Sequence, residues 1–381
     1  MSREKYWIWL SAALGAGERT DEVLAAYPDP EKLYGENRTE RTVSGVFTRQ
    51  KLDNLEKMKL SDAENTVEIC RRNGWKIYTP ESEDYPRELK NLVNKPLVLF
   101  VDGDITCLKD KIAIGVVGTR NPTRDSVRTA KSLSADLAAS GIVVVSGGAL
   151  GIDTAAHEGA LSAGAPTVCV LGCGLGTRYL LLNDALRREI ALKGALVTEY
   201  PPFSPASRVS FPKRNRIISG LSRGVLVVEA GEKSGSLITA ACAAEQGREI
   251  FAVPGGILNS SYLGTNRLIR DGAKAVTCAA DILAPFEFEY PGKIDSSAAG
   301  NTLPEGTVSG GDKKAGSSKA LPRGFGEEAA KVYAVLSDEP LHTDEICVMT
   351  GLPPSGVITA LTELEIGGYA EQTEGKNFIR S

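Results

Sequence analysis

The run Phe211-Pro212-Lys213-Arg214-Asn215-Arg216 sets three cations within four residues, behind one aromatic ring and ahead of the apolar Ile217-Ile218. Guanidinium and ammonium groups at this density neutralise phosphates, and a neighbouring aromatic can stack on an unpaired base. A helix N-terminus ordinarily favours acids, so Lys and Arg in a first turn point toward an anionic ligand. Three glycine-rich turns offer related chemistry. Gly118-Thr119-Arg120 carries a cation, Ser146-Gly147-Gly148-Ala149-Leu150-Gly151 adds a hydroxyl, and Gly231-Glu232-Lys233-Ser234-Gly235-Ser236 opens a helical stretch through Thr239. Glycines let backbone N–H groups converge on a phosphate oxygen at the positive end of a helix. Any one such turn is what every strand-to-helix connection needs; together with the basic run they suggest a polyanion site.

The elements that must position these residues follow from the apolar pattern. Between Lys111 and Leu283, short β-branched runs at Ile112–Val117, Ile142–Val145, Thr167–Leu171, Ala195–Thr198, Val225–Val228 and Glu249–Val253 alternate with helical stretches. Near-continuous apolar strands of this kind predict an α/β fold, a Rossmann-like doubly wound and mostly parallel sheet covered on both faces. Two further strands, Lys76–Thr79 and Leu97–Val101, extend its edge. Residues 1–74 show helical spacing and read as a small helical domain, SAM-like or helix-hairpin-helix-like, with Leu14-Gly15-Ala16-Gly17 as a turn between helices. The α/β domain spans 75–286. Residues 287–325 are rich in Gly, Ser, Ala and Lys and read as a flexible linker. Residues 326–381 predict three short helices and a hairpin, the order of a winged helix.

Composition narrows the function classes. The 381 residues carry a formal net charge of -4, yet residues 111–284 hold 19 Lys+Arg against 13 Asp+Glu, a local excess of +6, while both flanks are acidic. Two histidines, His157 and His342, leave little room for a His-based metal site or a Ser-His-Asp triad. Seven cysteines, with no Cys-x-x-Cys, argue against a disulfide framework or zinc ribbon and for a reducing cytoplasm. Met1–Leu10 lacks the pattern of a signal peptide, and no apolar run is long enough to span a membrane. No Walker string is present, and the first turn offers Arg120 where a dinucleotide site would want glycines and a later acid. No cofactor is expected.

These strings, in this order, resemble the DprA/Smf (DNA-processing protein A) family: Gly118-Thr119-Arg120, Ser146-Gly147-Gly148-Ala149, Gly151-Ile152-Asp153, Ala156-His157, Phe211 through Ile218, Val228-Glu229-Ala230, Ser234 through Ala240, Val253-Pro254-Gly255, Gly264-Thr265-Asn266 and Asp271-Gly272-Ala273. The resemblance implies a homodimer that binds single-stranded DNA and helps load the RecA recombinase in natural transformation, without being an enzyme. Carried over by motif, it assigns Arg120, Ser146, Gly147, Gly148, Lys213, Arg214 and Arg216 to a phosphate-binding pocket and groove. Phe211 and Asn215 would position that surface, Thr239 and Asn266 are further candidates, and Glu229 and Asp153 are structural acids. The chain departs from the family pattern along Gly174–Asn183 and at Leu150, where an Arg is common.

Two other functions share parts of this pattern. A phosphoribohydrolase-like nucleotide enzyme shares the Pro254-Gly255-Gly256 string but needs an acid where Asn266 follows Gly264-Thr265. A duplex reader would use the winged helix, yet Ser355–Ile366 carries Glu363 and Glu365 and no cation.

Overall fold

The computed structural model describes residues 3–179, 181–295, 326–337, 341–373 and 376–380. They divide into two compact units, Met1–Gly306 and Thr307–Ser381.

In the first unit a nine-stranded sheet runs in the order β1-β2-β6-β5-β4-β3-β7-β8-β9. Its strands are β1 (Lys76–Tyr78), β2 (Leu99–Gly103), β3 (Ala113–Val117), β4 (Val143–Ser146), β5 (Thr167–Val170), β6 (Ala195–Thr198), β7 (Gly224–Val227), β8 (Glu249–Ala252) and β9 (Lys274–Ala275). The strands from β6 through β3 to β9 pair in parallel, while β1 and β2 add an antiparallel edge. The two-residue β9 is too short for its periodicity to be read in sequence.

Six helices precede the sheet: α1 (Glu4–Leu14), α2 (Asp21–Ala26), α3 (Pro30–Gly35), α4 (Arg38–Val43), α5 (Arg49–Lys57) and α6 (Leu60–Asn73). The others in this unit are α7 (Arg87–Lys90), α8 (Arg124–Ala139), α9 (Ile152–Ser162), α10 (Asp184–Lys193), α11 (Ser210–Leu221), α12 (Ser236–Glu245), α13 (Leu263–Arg270) and α14 (Ala279–Glu289).

Alternation along the strands explains the layering, because successive side chains point to opposite faces. Val143, Val145, Val225 and Val227 pack with Ile217 and Leu221 of α11 and Ala240 of α12. Their neighbours Val144 and Leu226, with Ile114 and Val116, pack with Leu137 of α8, Ala156 of α9 and Phe286 of α14. The N-terminal helices bury Trp7, Trp9 and Leu10 in a core that continues into Phe100, Cys169 and Leu196 of the sheet. The helices α1–α6 therefore close over one face of the sheet and share its core.

The sheet order makes a switch point. From β3 the chain winds outward through β4, β5 and β6, then returns along α11 to lay β7 on the other side of β3. The crevice outside the carboxyl ends of β3 and β7 is where open α/β sheets bind ligands.

The second unit holds α15 (Glu327–Val335), β10 (Leu341–His342), α16 (Thr343–Thr350), α17 (Pro354–Ile366), β11 (Ala370–Thr373) and β12 (Asn377–Arg380), with strand order β10-β12-β11. Val332, Ile346, Val357, Leu361 and Phe378 make its own core. This is the winged-helix order, with β10 added. Within the expected linker, residues 296–325 lie outside the described residues.

Candidate nucleic-acid interface

The turns after β3 and β7 and the start of α11 enclose a cavity of about 450 Å³ at the switch point. Arg120 and Arg208 are exposed and line it. No hydrogen bond or ion pair holds either side chain among the described residues. The Arg120 guanidinium lies 5.2 Å over the Phe211 ring, which is itself 5.4 Å from the Tyr179 ring. Cation–π contact of this kind contributes about 0.5–1 kcal/mol at an exposed site and chiefly orients the cation. Phe211 sits this deep because Gly172 has no side chain; a Cβ there would lie 2.7 Å from the ring.

Hydroxyls and an amide complete the lining. Asn215 is half-buried and donates to the Gly235 carbonyl at 3.4 Å, which ties α11 to the turn after β7. Ser234, Ser236 and the buried Thr239 line the same wall. Lys213 turns the other way, toward the helical layer, where its Nζ is 3.7 Å from Glu18.

Arg214 forms the floor. It is 4% exposed, donates from Nη1 to the Val170 carbonyl, and lies flat on Gly147, where a Cβ would stand 2.1 Å from Nη1. Burial holds this guanidinium below its ordinary range, opposed mainly by the Asp153 carboxylate. The cavity thus has two free cations on its rim and a third beneath.

A family model described as DNA recombination-mediator protein A matches residues 76–287, more than half of the chain and the whole of the sheet. The chain belongs to the DNA recombination-mediator protein A family. A second model, the DprA winged helix domain, matches residues 317–376. Protein Smf of Escherichia coli is 38% identical over 296 residues, which cover 77% of this chain and 75% of that protein. DNA processing protein DprA of Bacillus subtilis is 43% identical over 212 residues, 56% of this chain and 71% of that one. Among solved structures, DNA processing protein A of Streptococcus pneumoniae superposes with a TM-score of 0.64 at 32% identity, covering 74% of this chain and 98% of that one. The Helicobacter pylori protein, described for a unique single-stranded DNA binding mode, matches with a TM-score of 0.52 at 31% identity, covering 57% of this chain and 97% of that one.

Several residues assigned by motif in this member of the DNA recombination-mediator protein A family do other work. Ser146 is fully buried and its hydroxyl donates a hydrogen bond to the Val116 carbonyl at 2.6 Å, which fastens β4 to β3. One amide of its glycine turn is also engaged. Asp153 accepts from the Ala149 N–H at 3.3 Å, so an internal carboxylate holds one of the donors expected to serve a phosphate. Burial raises the Asp153 pKa, and Arg214 opposes that shift. Gly148 takes φ 65° and abuts Cys169, whose Sγ would lie 2.5 Å from an added Cβ. Asn183, in the segment that departs from the family pattern, donates to the Gly148 carbonyl at 3.3 Å and so braces the turn from outside.

Arg216 is 4% exposed and paired with Glu199, itself buried, on the side of α11 away from the cavity. Asn266 clamps Gly255, accepting its N–H at 3.1 Å and donating to its carbonyl at 3.0 Å, and does not line the cavity. Glu229 is buried and accepts from the Thr123 N–H at 2.9 Å and hydroxyl at 3.0 Å, fixing the end of the Arg120 turn. The sequence reading missed Arg208. It stands in the Pro- and Ser-rich loop before α11, and its only sequence signal is its nearness to the basic run.

His157 lies buried behind the turn, with Nδ1 2.8 Å from the Thr167 hydroxyl, which donates onward to the Val144 carbonyl at 2.7 Å. Burial, and then the Arg214 charge, push its pKa down to about 3. Between that value and about 6.5 the unfolded chain binds the extra proton, so this group's stabilisation falls as pH falls through that window. The stability advantage of the wild type over His157→Gln should therefore shrink by about 1.4 kcal/mol per pH unit below about 6.5. Paired urea titrations at pH 7 and pH 5 measure it.

Proposed function

We propose that this chain binds single-stranded DNA in the switch-point cavity and along the rim that extends from it, and that it acts without catalysing a reaction. The observation that carries this reading is the pair of exposed, unpaired guanidinium groups of Arg120 and Arg208 around a cavity whose floor is a third arginine. Cations on the rim attract the backbone, and the Ser and Thr hydroxyls offer contacts that do not depend on base identity. The Helicobacter pylori relative's described binding mode supports the same ligand. Against the phosphoribohydrolase alternative, the position awaited for an acid is Asn266, whose amide is spent on Gly255.

The winged helix is assigned no part in binding the strand, because the described α17 side chains include no Lys or Arg and its exposed face carries Ile358 and Glu363. A chain ending after residue 295 keeps all of α14 and the first core. It is expected to bind a labelled single-stranded oligonucleotide within about threefold of the full chain, and to bind it more tightly than duplex. Fluorescence anisotropy across a salt series decides this, and loss of binding on truncation would transfer the site to the tail.

As its finer role we propose a cytoplasmic homodimer that loads RecA on the bound strand, in keeping with the recombination-mediator family and with seven free thiols. No described helix is long and apolar enough to cross a membrane. Ile257 and Leu258, 84% and 97% exposed on one loop, offer apolar surface for a second copy. Sedimentation velocity should find a dimer that Leu258→Asp converts to monomer, and RecA assembly on single strands should quicken with the wild type; a monomer or an unchanged rate defeats the respective claim.

A further inference from the structure

A second cavity, of about 910 Å³, opens at the opposite end of the sheet. Residues just before β3, β7 and β8 line it, with the segment around α7 as its outer wall. It lies within the size range of small-molecule sites and far exceeds the space one inorganic phosphate needs.

Its inner wall gathers three arginines. Arg216, from α11, gives Nη2 to Glu199, but its buried Nε and Nη1 have no partner among the described residues. Arg248 donates from Nη2 to the carbonyls of Gly220 at 3.2 Å and Glu88 at 3.4 Å, and its buried Nε is likewise unmatched. Arg223 pairs with Glu88 at 3.5 Å and lies 5.5 Å over the Tyr290 ring. Beside them the Gln246 amide donates to the Arg216 carbonyl at 3.0 Å, leaving its buried Oε1 without a donor. Lys111 and Arg87 are exposed at the mouth.

Acids do not balance this lining: five carboxylates, Glu83, Asp84, Glu88, Asp110 and Glu245, stand against eight Lys and Arg side chains. Glu88 faces Arg223, and Asp84 lies 3.5 Å from Lys109. Burial and the neighbouring Arg223 charge hold the Arg248 guanidinium below its ordinary range. Like charges brought together out of water are unfavourable unless an anion joins them.

We infer that this cavity binds a small anion carrying a chain of phosphates, of the nucleoside di- or triphosphate class. Arg216 and Arg248 line the cavity and keep buried guanidinium N–H groups without acceptors, the kind of donor that phosphate oxygens take. Lys111 and Arg87 continue the cationic line toward the mouth, which suits a chain of phosphates more than a single one. Gln246, whose buried Oε1 lacks a donor, and Tyr290 also line the cavity and offer an acceptor and an aromatic ring toward a base. Arg214 and Arg216, two positions apart on α11, face opposite sides of the helix, so this site is separate from the switch-point cavity.

Isothermal titration of the full chain with ATP, tripolyphosphate and adenosine tests the assignment. ATP and tripolyphosphate are expected to bind and adenosine not; tighter binding of ATP than of tripolyphosphate would identify the base contacts. Arg248→Gln should weaken ATP at least tenfold, and so should Lys111→Glu, whose exposed position leaves folding out of account. Arg120→Ala/Arg208→Ala should leave ATP affinity within twofold. The proposal is overturned if ATP gives no saturable heat up to millimolar concentration, if both Arg248→Gln and Lys111→Glu leave its affinity unchanged, or if the Arg120/Arg208 variant loses it. None of these outcomes depends on whether single-stranded DNA binds at the switch point.

Discussion

Replacing Arg120 and Arg208 together with alanine is expected to weaken single-stranded DNA binding about a hundredfold at low salt. Each guanidinium, exposed and unpaired at the cavity rim, is placed to make a charge-assisted contact with a phosphate. Such contacts contribute about 1.5–3 kcal/mol each, and the lower end applies where solvent screens them. The slope of log affinity against log salt should become shallower by about 1.4, because each phosphate contact to a single strand contributes about 0.7. The loss should be the same for oligonucleotides of different sequence, since the partners are phosphates. Neither side chain makes an ion pair among the described residues, and only the Arg120 cation–π contact with Phe211 is lost, so stability should fall by no more than about 1 kcal/mol. Salt-dependent anisotropy with matched melting curves reads both quantities, and undiminished affinity would put the DNA elsewhere.

Glu199→Gln is expected to cost the first unit about 3–5 kcal/mol of stability, the range for removing one partner of a buried ion pair. Glu199 and Arg216 each keep about 5% of side-chain exposure. The variant would leave a guanidinium, already short of acceptors at Nε and Nη1, buried without a counter-charge. Urea unfolding should show the lower midpoint. The double variant Glu199→Leu/Arg216→Met should recover most of the loss, because an apolar pair of similar volume carries no desolvation cost. A double variant as unstable as the single one would show that the pair supports the fold through its shape. Arg216, within the basic run, is thus read through stability, whereas Arg120 and Arg208, outside it, are read through DNA binding.

The sheet was largely legible because its signal is local. Runs such as Val143-Val144-Val145 are apolar on both faces, which only a doubly covered strand tolerates, and the following glycines mark each turn into a helix. The winged helix was legible for the same reason, through three helical periods and a terminal hairpin. Residue roles at the cavity were less so. Lys213, Arg214 and Arg216 read as one basic cluster, but along a helix they diverge to the Glu18 layer, the cavity floor and the Glu199 pair.

Sequence alone determined the class of fold, the family motifs and the concentration of positive charge in residues 111–284. Each depends on neighbours within a few positions. The tertiary structure decided which charges face a ligand. Arg214 donates inward to Val170, Arg216 pairs with Glu199 on the far side of α11, Asp153 takes an amide that seemed reserved for a phosphate, and Arg208 enters the rim from a loop. The physical reason is that an ion is buried only where a partner meets it. Here those partners come from other strands and loops, at distances along the chain that no local pattern records.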